Sequence, residues 1–275
     1  MLPRSIERLV RRRTQWVRVY FGTQRVNVDL FHGWRRQQLL RGVSRSIDGA
    51  GGLDAAVAAL GEALRLLRLE AGDLSTCPCE VVLADGWVVY DVVTIDLLRV
   101  SQPAAGAAVA ATLEDVAGAH PGSLAVRWQW QPDGRGVFAM AIPRVTLGKV
   151  KGALTAAGLA LKSVTGEFVA VYNAQREALA GRRVVFAVGR EAGAQIAVLI
   201  DGIIRATRFE FGGAGSVGLS SAAAGVMRAR GDDTTAPTQY VLDAIAEDGH
   251  APPDPRWARV RPPSWVTARH GTVAH

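Results

Sequence analysis

Cysteine, histidine, lysine and aromatic side chains are all scarce in this chain of 275 residues. The two cysteines, Cys77 and Cys79, stand in the run STCPCEVV, and a lone C-x-C cannot complete a four-ligand zinc site. Residues two apart at the entrance to a strand point to opposite faces, so both read as reduced structural thiols, a state that suits the cytoplasm. The five histidines are scattered, His32 and His120 at turns and His250, His270 and His275 near the end. No metal is expected. No apolar run reaches the roughly 20 residues that cross a bilayer, and MLPRSIERLVRRRTQW is basic throughout with no apolar signal core. These absences predict a soluble chain that stays inside the cell. The G-x-S-x-G elbow, the H-E-x-x-H helix and the P-loop are missing as well, which removes the enzyme classes they mark.

What the chain does have is a globular composition, 49% hydrophobic and 21% charged, with a net charge of +7. That length buries one large core or two smaller ones. The basic set is nearly all arginine, only Lys149, Lys151 and Lys162 departing from it. Arginine excess favours an acidic partner or an anionic membrane face. No Lys/Arg repeat with interleaved aromatics and no nucleic-acid motif is legible, so no nucleic-acid partner is expected. The clearest clusters, and hence the partner-binding candidates, are Arg11, Arg12 and Arg13, then Arg35 and Arg36, then Arg182 and Arg183.

Periodicity divides the chain into elements. Residues 1–14 form a basic segment with Leu2, Ile6, Leu9 and Val10 on one helical face. Alternating apolar residues predict strands at about 16–21, 26–31 and 35–40, turning at Gly22-Thr23 and His32-Gly33. Leu53, Val57, Leu60, Leu64 and Leu67 predict a helix closed by Gly72. CEVVLADGWVVYDVVT reads as a hairpin about Asp85-Gly86. A helix over QPAAGAAVAATLEDVAGAH, a hairpin through DGRG, a helix over RVTLGKVKGALTAAGL, a strand in ALKSVTGEF and a helix in VAVYNAQREALA follow. RRVVFAVGREAGAQIAVLIDGIIRATRFEF then repeats the three-strand opening. SVGLSSAAAGVMRARG and APTQYVLDAIAEDG both read as helices, and residues 249–275, rich in Pro and Arg, read as an extended tail. The layout is duplicated α/β, with expected domains at 15–181 and 182–248.

Four blocks in this order carry a resemblance: the opening meander, VVLADGWVVYDVV, VRWQWQPDGRGVFAMAIPRVTLGKVKGALTAAGLALKSV and the final hairpin. Together they resemble the actin-like (ribonuclease-H-like) cytoplasmic domains of the type II secretion L subunit and the type IV pilus M subunit. The resemblance spans roughly residues 15–230 and is most specific over 124–173. It implies a duplicated actin-like fold, a three-stranded meander plus helices in each half, with an inserted αβ subdomain. It also implies a non-enzymatic scaffold at the cytoplasmic face of an inner membrane, meeting an assembly ATPase and an inner-membrane platform protein. Pairing with a second copy is left open, as is whether the chain is a soluble version or the cytoplasmic part of a longer protein.

The same resemblance implies where a nucleotide would sit. Phosphoryl transfer needs carboxylates for Mg²⁺ and donors for the phosphates. The first phosphate turn is Gly22-Thr23, preceded by Tyr20 and Phe21 with no acid within reach, Asp29 being a poor substitute on the next strand. The second is FAVGREAGAQ, where Ala187 stands at the acid's position, Gly189 supplies the turn, Glu191 follows it and Arg190 makes an exposed charged turn. Gly22, Thr23, Gly189 and Glu191 are therefore the degenerate cofactor-binding candidates. No catalysis and no required cofactor are expected, the alternative being a nucleotide-binding switch that uses this degenerate site.

Overall fold

Alternation builds the first sheet as expected. In this computed structural model, which describes residues 15–33, 38–47, 51–75, 77–95, 100–190, 193–211, 216–229, 237–244 and 256–260, β1 (Gln15–Phe21) pairs antiparallel with β2 (Arg25–His32), and β2 with β3 (Gln38–Ser46). The segment 1–14 with Arg11, Arg12 and Arg13, and also Arg35, Arg36 and Glu191, lie outside the described residues. β4 (Pro78–Leu83) and β8 (Ala160–Gly166) add in parallel, giving the order β3-β2-β1-β4-β8. Helix α1 (Gly52–Ala71) buries Ala56, Leu60, Ala63, Leu64 and Leu67 at helical spacing and lies against β2 and β3. Each leucine so buried contributes about 1.5–3 kcal/mol. Asp54 sits in its first turn and Arg68 in its last, each facing the favourable end of the helix dipole. Gly72 ends it at φ 83, a left-handed backbone that suits glycine.

The second five-stranded sheet repeats that order with new strands. β9 (Arg183–Arg190), β10 (Gly193–Ile200) and β11 (Ile203–Phe211) form the meander, and β12 (Gln239–Ala244) and β13 (Trp257–Arg259) add in parallel beside β9. A third sheet, β5-β7-β6, joins β5 (Val89–Val93), β7 (Val137–Pro143) and β6 (Leu124–Trp130), with helix α2 (Gln102–Ala117) packed on it through Ala105, Val109 and Leu113. Helices α3 (Arg144–Ala156), α4 (Glu167–Ala174) and α5 (Ser216–Ala229) complete the described elements.

The chain forms two compact units. One comprises the described residues of Met1–Trp87 and Val145–Glu167; the other those of Val88–Arg144 and Phe168–His275. The first holds the sheet β3-β2-β1-β4-β8. The second holds the sheet β11-β10-β9-β12-β13 together with the small three-stranded one.

Four expectations change. The strand expected at 35–40 runs from Gln38 to Ser46: only Val43 of its nine residues is buried, so its polar end does not show in hydropathy. Residues 80–94 are no hairpin. β4 is flanked by β1 and β8, and β5 pairs with β7; Asp85–Trp87 is a 3₁₀ turn leading out of the sheet. An Asp-Gly pair makes a hairpin only where the strands beside it can pair, and both sides of β4 are taken. APTQYVLDAIAEDG holds the strand β12, not a helix: buried on β9, a parallel strand loses the alternation that would announce it. The expected tail contains β13, whose Trp257 is buried and donates its indole N–H to Ser220 Oγ at 3.0 Å.

Candidate functional site

The two turns singled out in the sequence differ in how they are built. At the first, Gly22 N–H donates to the Arg25 carbonyl at 2.9 Å, closing the loop between β1 and β2. A Cβ at Gly22 would lie 2.4 Å from that carbonyl oxygen, so the close approach requires glycine. The turn rests on the end of β4. Ala84 N–H donates to the Phe21 carbonyl at 3.0 Å, Trp87 Nε1–H donates to the Gly22 carbonyl at 3.0 Å, and a Cβ on Gly86 would meet the Thr23 methyl at 3.0 Å. The structure thus brings Gly22 and Thr23 together with Asp85-Gly86-Trp87. Asp85 is buried there.

A buried acid meets β1 two residues before the turn glycine. Tyr20 hydroxyl donates to Glu167 Oε2 at 2.8 Å. Glu167 is fully buried at the first position of α4, where the helix dipole favours a negative charge. The sequence placed Glu167 in the run VTGEFVAV, at a strand-to-helix junction 147 residues from Tyr20. A carboxylate that opens an apolar helix was the available signal, and its partner lay too far along the chain to see.

Further along the same face of β1 is Arg18, paired across the strands with Asp29 on one side and Glu80 on the other. Its guanidinium lies 4.6 Å from the Trp16 ring centre and 5.5 Å from that of Phe31, and 3.5 Å from Glu80 Oε2. Burial lowers the Arg18 pKa, while Glu80 and Asp29 oppose that shift.

At the second turn the outcome is different. Gly189 is a strand residue, paired with Ala194 of β10 and Ala244 of β12. Ala187 pairs with Ile196 and Leu242 and belongs to the core formed with Leu219, Ala223 and Met227. A carboxylate at 187 would be desolvated without a partner there. Arg190 is not an exposed turn residue. Its Nη2 donates to Asp243 Oδ1 at 2.9 Å and its Nη1 to the carbonyls of Gly189 at 2.7 Å and Asp243 at 3.1 Å. The side chains are 10% and 0% exposed. Arg190 and Asp243 thereby tie the end of the β9–β10 hairpin to the end of β12.

Of the remaining candidates, Arg182 is exposed, while Arg183 is partly buried with Nη2 3.7 Å from Met227 Sδ. Cys77 and Cys79 are free and buried, and burial pushes the Cys79 thiol up to about 12. Among the described residues no group of three His, Cys, Asp or Glu could hold a metal ion, and no helix is long and apolar enough to cross a membrane.

No family model matches the chain, and a search of curated proteins finds none that matches it. Solved structures do. The chain is similar to a Bacteroides thetaiotaomicron protein of actin-like ATPase fold and unknown function, at 10% identity over 87% of this chain and 85% of that one, with a TM-score of 0.58. It is similar to the cytoplasmic domain of EpsL, an inner-membrane component of the type II secretion system of Vibrio cholerae, at 12% identity over 90% of both chains, TM-score 0.56. It is also similar to a chain of the PilM-PilN type IV pilus biogenesis complex, at 17% identity over 83% and 81%, TM-score 0.58. The fold is therefore actin-like α/β, as the resemblance implied.

Proposed function

We propose that this chain, built on the fold shared by the EpsL cytoplasmic domain and PilM, is a non-catalytic scaffold of a bacterial secretion or pilus assembly platform. In this reading it works at the cytoplasmic face of an inner membrane and links an assembly ATPase to a membrane platform protein. The observation that carries it is the Arg190–Asp243 pair. At the hairpin where a nucleotide-binding member would offer charge to phosphate and Mg²⁺, the cation and the anion neutralise each other inside the protein. A phosphate would have to break a buried, hydrogen-bonded ion pair to bind, and breaking such a pair costs about 3–5 kcal/mol.

One observation favours a nucleotide-responsive switch instead: a buried carboxylate, Glu167, accepts from Tyr20, two residues before Gly22 of the first turn. Titration with Mg-ATP and Mg-ADP, followed by calorimetry and thermal melting, separates the two. A ligand at 100 times its dissociation constant adds about 2.7 kcal/mol. The scaffold reading expects no such shift at millimolar nucleotide, and a stable complex with the cognate assembly ATPase whether nucleotide is present or not. A clear shift that disappears in Glu167→Gln would replace it with the switch.

A further inference from the structure

β6 ends the small sheet, with β7 on one side and no strand on the other among the described residues. Its pairing with β7 tells which backbone groups face outward. Gln131 N–H donates to the Gly136 carbonyl and Arg144 N–H to the Ser123 carbonyl, each at 2.9 Å. The odd-numbered residues of β6 are therefore bonded to β7, and in an antiparallel ladder the alternate residues turn both groups the other way. These are Leu124, Val126, Trp128 and Trp130, and no further hydrogen bond reaches them among the described residues.

The other strands that end their sheets are less open. The ladders of β3, β8 and β11 are each interrupted by an irregularity, and β13 has three residues. At β5 the Tyr90 carbonyl accepts from Thr207 of β11. Bulges, shortness and charge are how edges are kept from pairing. β6 pairs with β7 over seven residues without irregularity, carries no proline and has one charge, Arg127.

The two faces of β6 differ. Val126, Trp128 and Trp130 are half-buried on the core beneath α2, the indoles edge to face at 5.2 Å. Half-covered tryptophan is what protein interfaces are rich in. A Cβ on Gly106 would lie 3.6 Å from Trp128 Nε1, so the helix passes close above. Its exposed residues from 104 to 111 are all alanine, and no bulky or charged group stands over this stretch. Arg127 and Gln129 are exposed on the opposite face.

We infer that β6 pairs antiparallel with β6 of a second copy of this chain, about a two-fold axis at Trp128, joining two small sheets into one of six strands. Charge and length select that register. Centring on Arg127 would set Arg127 against itself, and like charges directly opposite are destabilising. Centring on Gln129 overlaps the strands only from Trp128 to Trp130, and centring on Val126 leaves Trp130 beyond the partner's strand. Centring on Trp128 sets Trp128 against itself, Val126 against Trp130 and Arg127 against Gln129, the last two twice over by symmetry. A two-fold pair covers both open edges at once and closes on itself. It is small beside the roughly 1,200–2,000 Å² of stable interfaces, so monomer and dimer are expected to exchange at micromolar concentration. The inference goes beyond the scaffold reading and does not rest on it.

The test is sedimentation velocity of the full chain from micromolar to submillimolar concentration. A shift from monomer to dimer is expected, with a blue shift of tryptophan emission as Trp128 and Trp130 are covered. Gln129→Glu sets a carboxylate opposite Arg127 at two places and should tighten the dimer by about threefold or more, a gain that salt reverses. Gln129→Arg sets like charges opposite each other at the same places and should weaken it by about tenfold. Adding Arg127→Glu to Gln129→Arg exchanges the two charges and should restore it. Both positions are exposed, so melting temperatures should hold. Should Gln129→Arg fail to fold, the tightening by Gln129→Glu decides alone. A chain that stays monomeric throughout would leave the edge to a strand of some other protein and overturns the inference. A dimer that neither change at 129 moves, or that both move in one direction, lies on another surface and overturns it too.

Discussion

β1 and β9 hold the same place in their sheets, each between an antiparallel neighbour and a parallel one, yet they are made of different chemistry. One face of β1 presents Trp16, Arg18 and Tyr20, matched on β2 by Phe31, Asp29 and Asn27. All of these are buried or nearly so. β9 presents Val184, Phe186 and Val188 on one face and Val185 and Ala187 on the other, all buried, and keeps its charge at the two ends. The shared topology fixes which positions leave water and leaves open what fills them. An apolar filling stabilises by area alone. A polar filling must satisfy each group, and a slip of one residue would bury Arg18 on the wrong face. The first sheet is thus the more exactingly specified of the two, and the second the more tolerant except at Arg190 and Asp243.

That contrast can be broken most directly at the strand tips. Asp243→Ala should cost about 3–5 kcal/mol in denaturant unfolding, because it leaves the Arg190 guanidinium buried without its carboxylate. Glu80→Ala, which removes the long and half-exposed contact to Arg18, should cost less than about 1 kcal/mol. Similar losses for the two would mean that Arg190 swings into solvent and that the second sheet has no charged lock. Tyr20→Phe sharpens the comparison on the other side. It deletes one hydrogen bond to a buried carboxylate and should cost about 1–3 kcal/mol. A loss of a few tenths would show that Glu167 is satisfied without it.

The smallest effect expected is one of pH. The Asp133 carboxyl is held below its ordinary 3.8, first by its hydrogen bond from Arg205. A depressed acid contributes stability that is present above its unfolded value and is lost as pH falls through the folded one. Melting temperature of the wild type should therefore drop through the region below 3.8, and Asp133→Asn should flatten that part of the profile. Equal slopes in the two proteins would remove this pair, which links the small sheet to β11, from any share in acid stability.

How far the sequence disclosed this depends on what each element shows to water. β1, β2, β11 and the helices were legible because each repeats its apolar residues at the spacing of its own geometry, and β9 and β10 because they are short apolar runs bounded by turn residues. β12 was not, since Tyr240, Val241 and Leu242 sit between two parallel neighbours and read equally well as a helical turn. β3 was partly hidden for the opposite reason, being mostly polar. At the site, Gly22 and Thr23 were legible as a turn, and Ala187 as a missing acid. Gly189 proved to be strand, because the residues flanking it pair on both sides. Glu167 and Asp243 lay beyond local reasoning: their partners are 147 and 53 residues away, and no spacing rule connects such pairs.

The return of β8 to the side of β4 has a consequence in time. Pro78 pairs with Ala160, so 82 residues separate the two strands along the chain. At ribosomal speeds of about 5–20 residues per second, β4 waits about 4–16 s for its neighbour to be synthesised. Until then the run CEVVL lacks the neighbour that covers one of its edges in the finished sheet, and an unpaired strand edge is prone to aggregate.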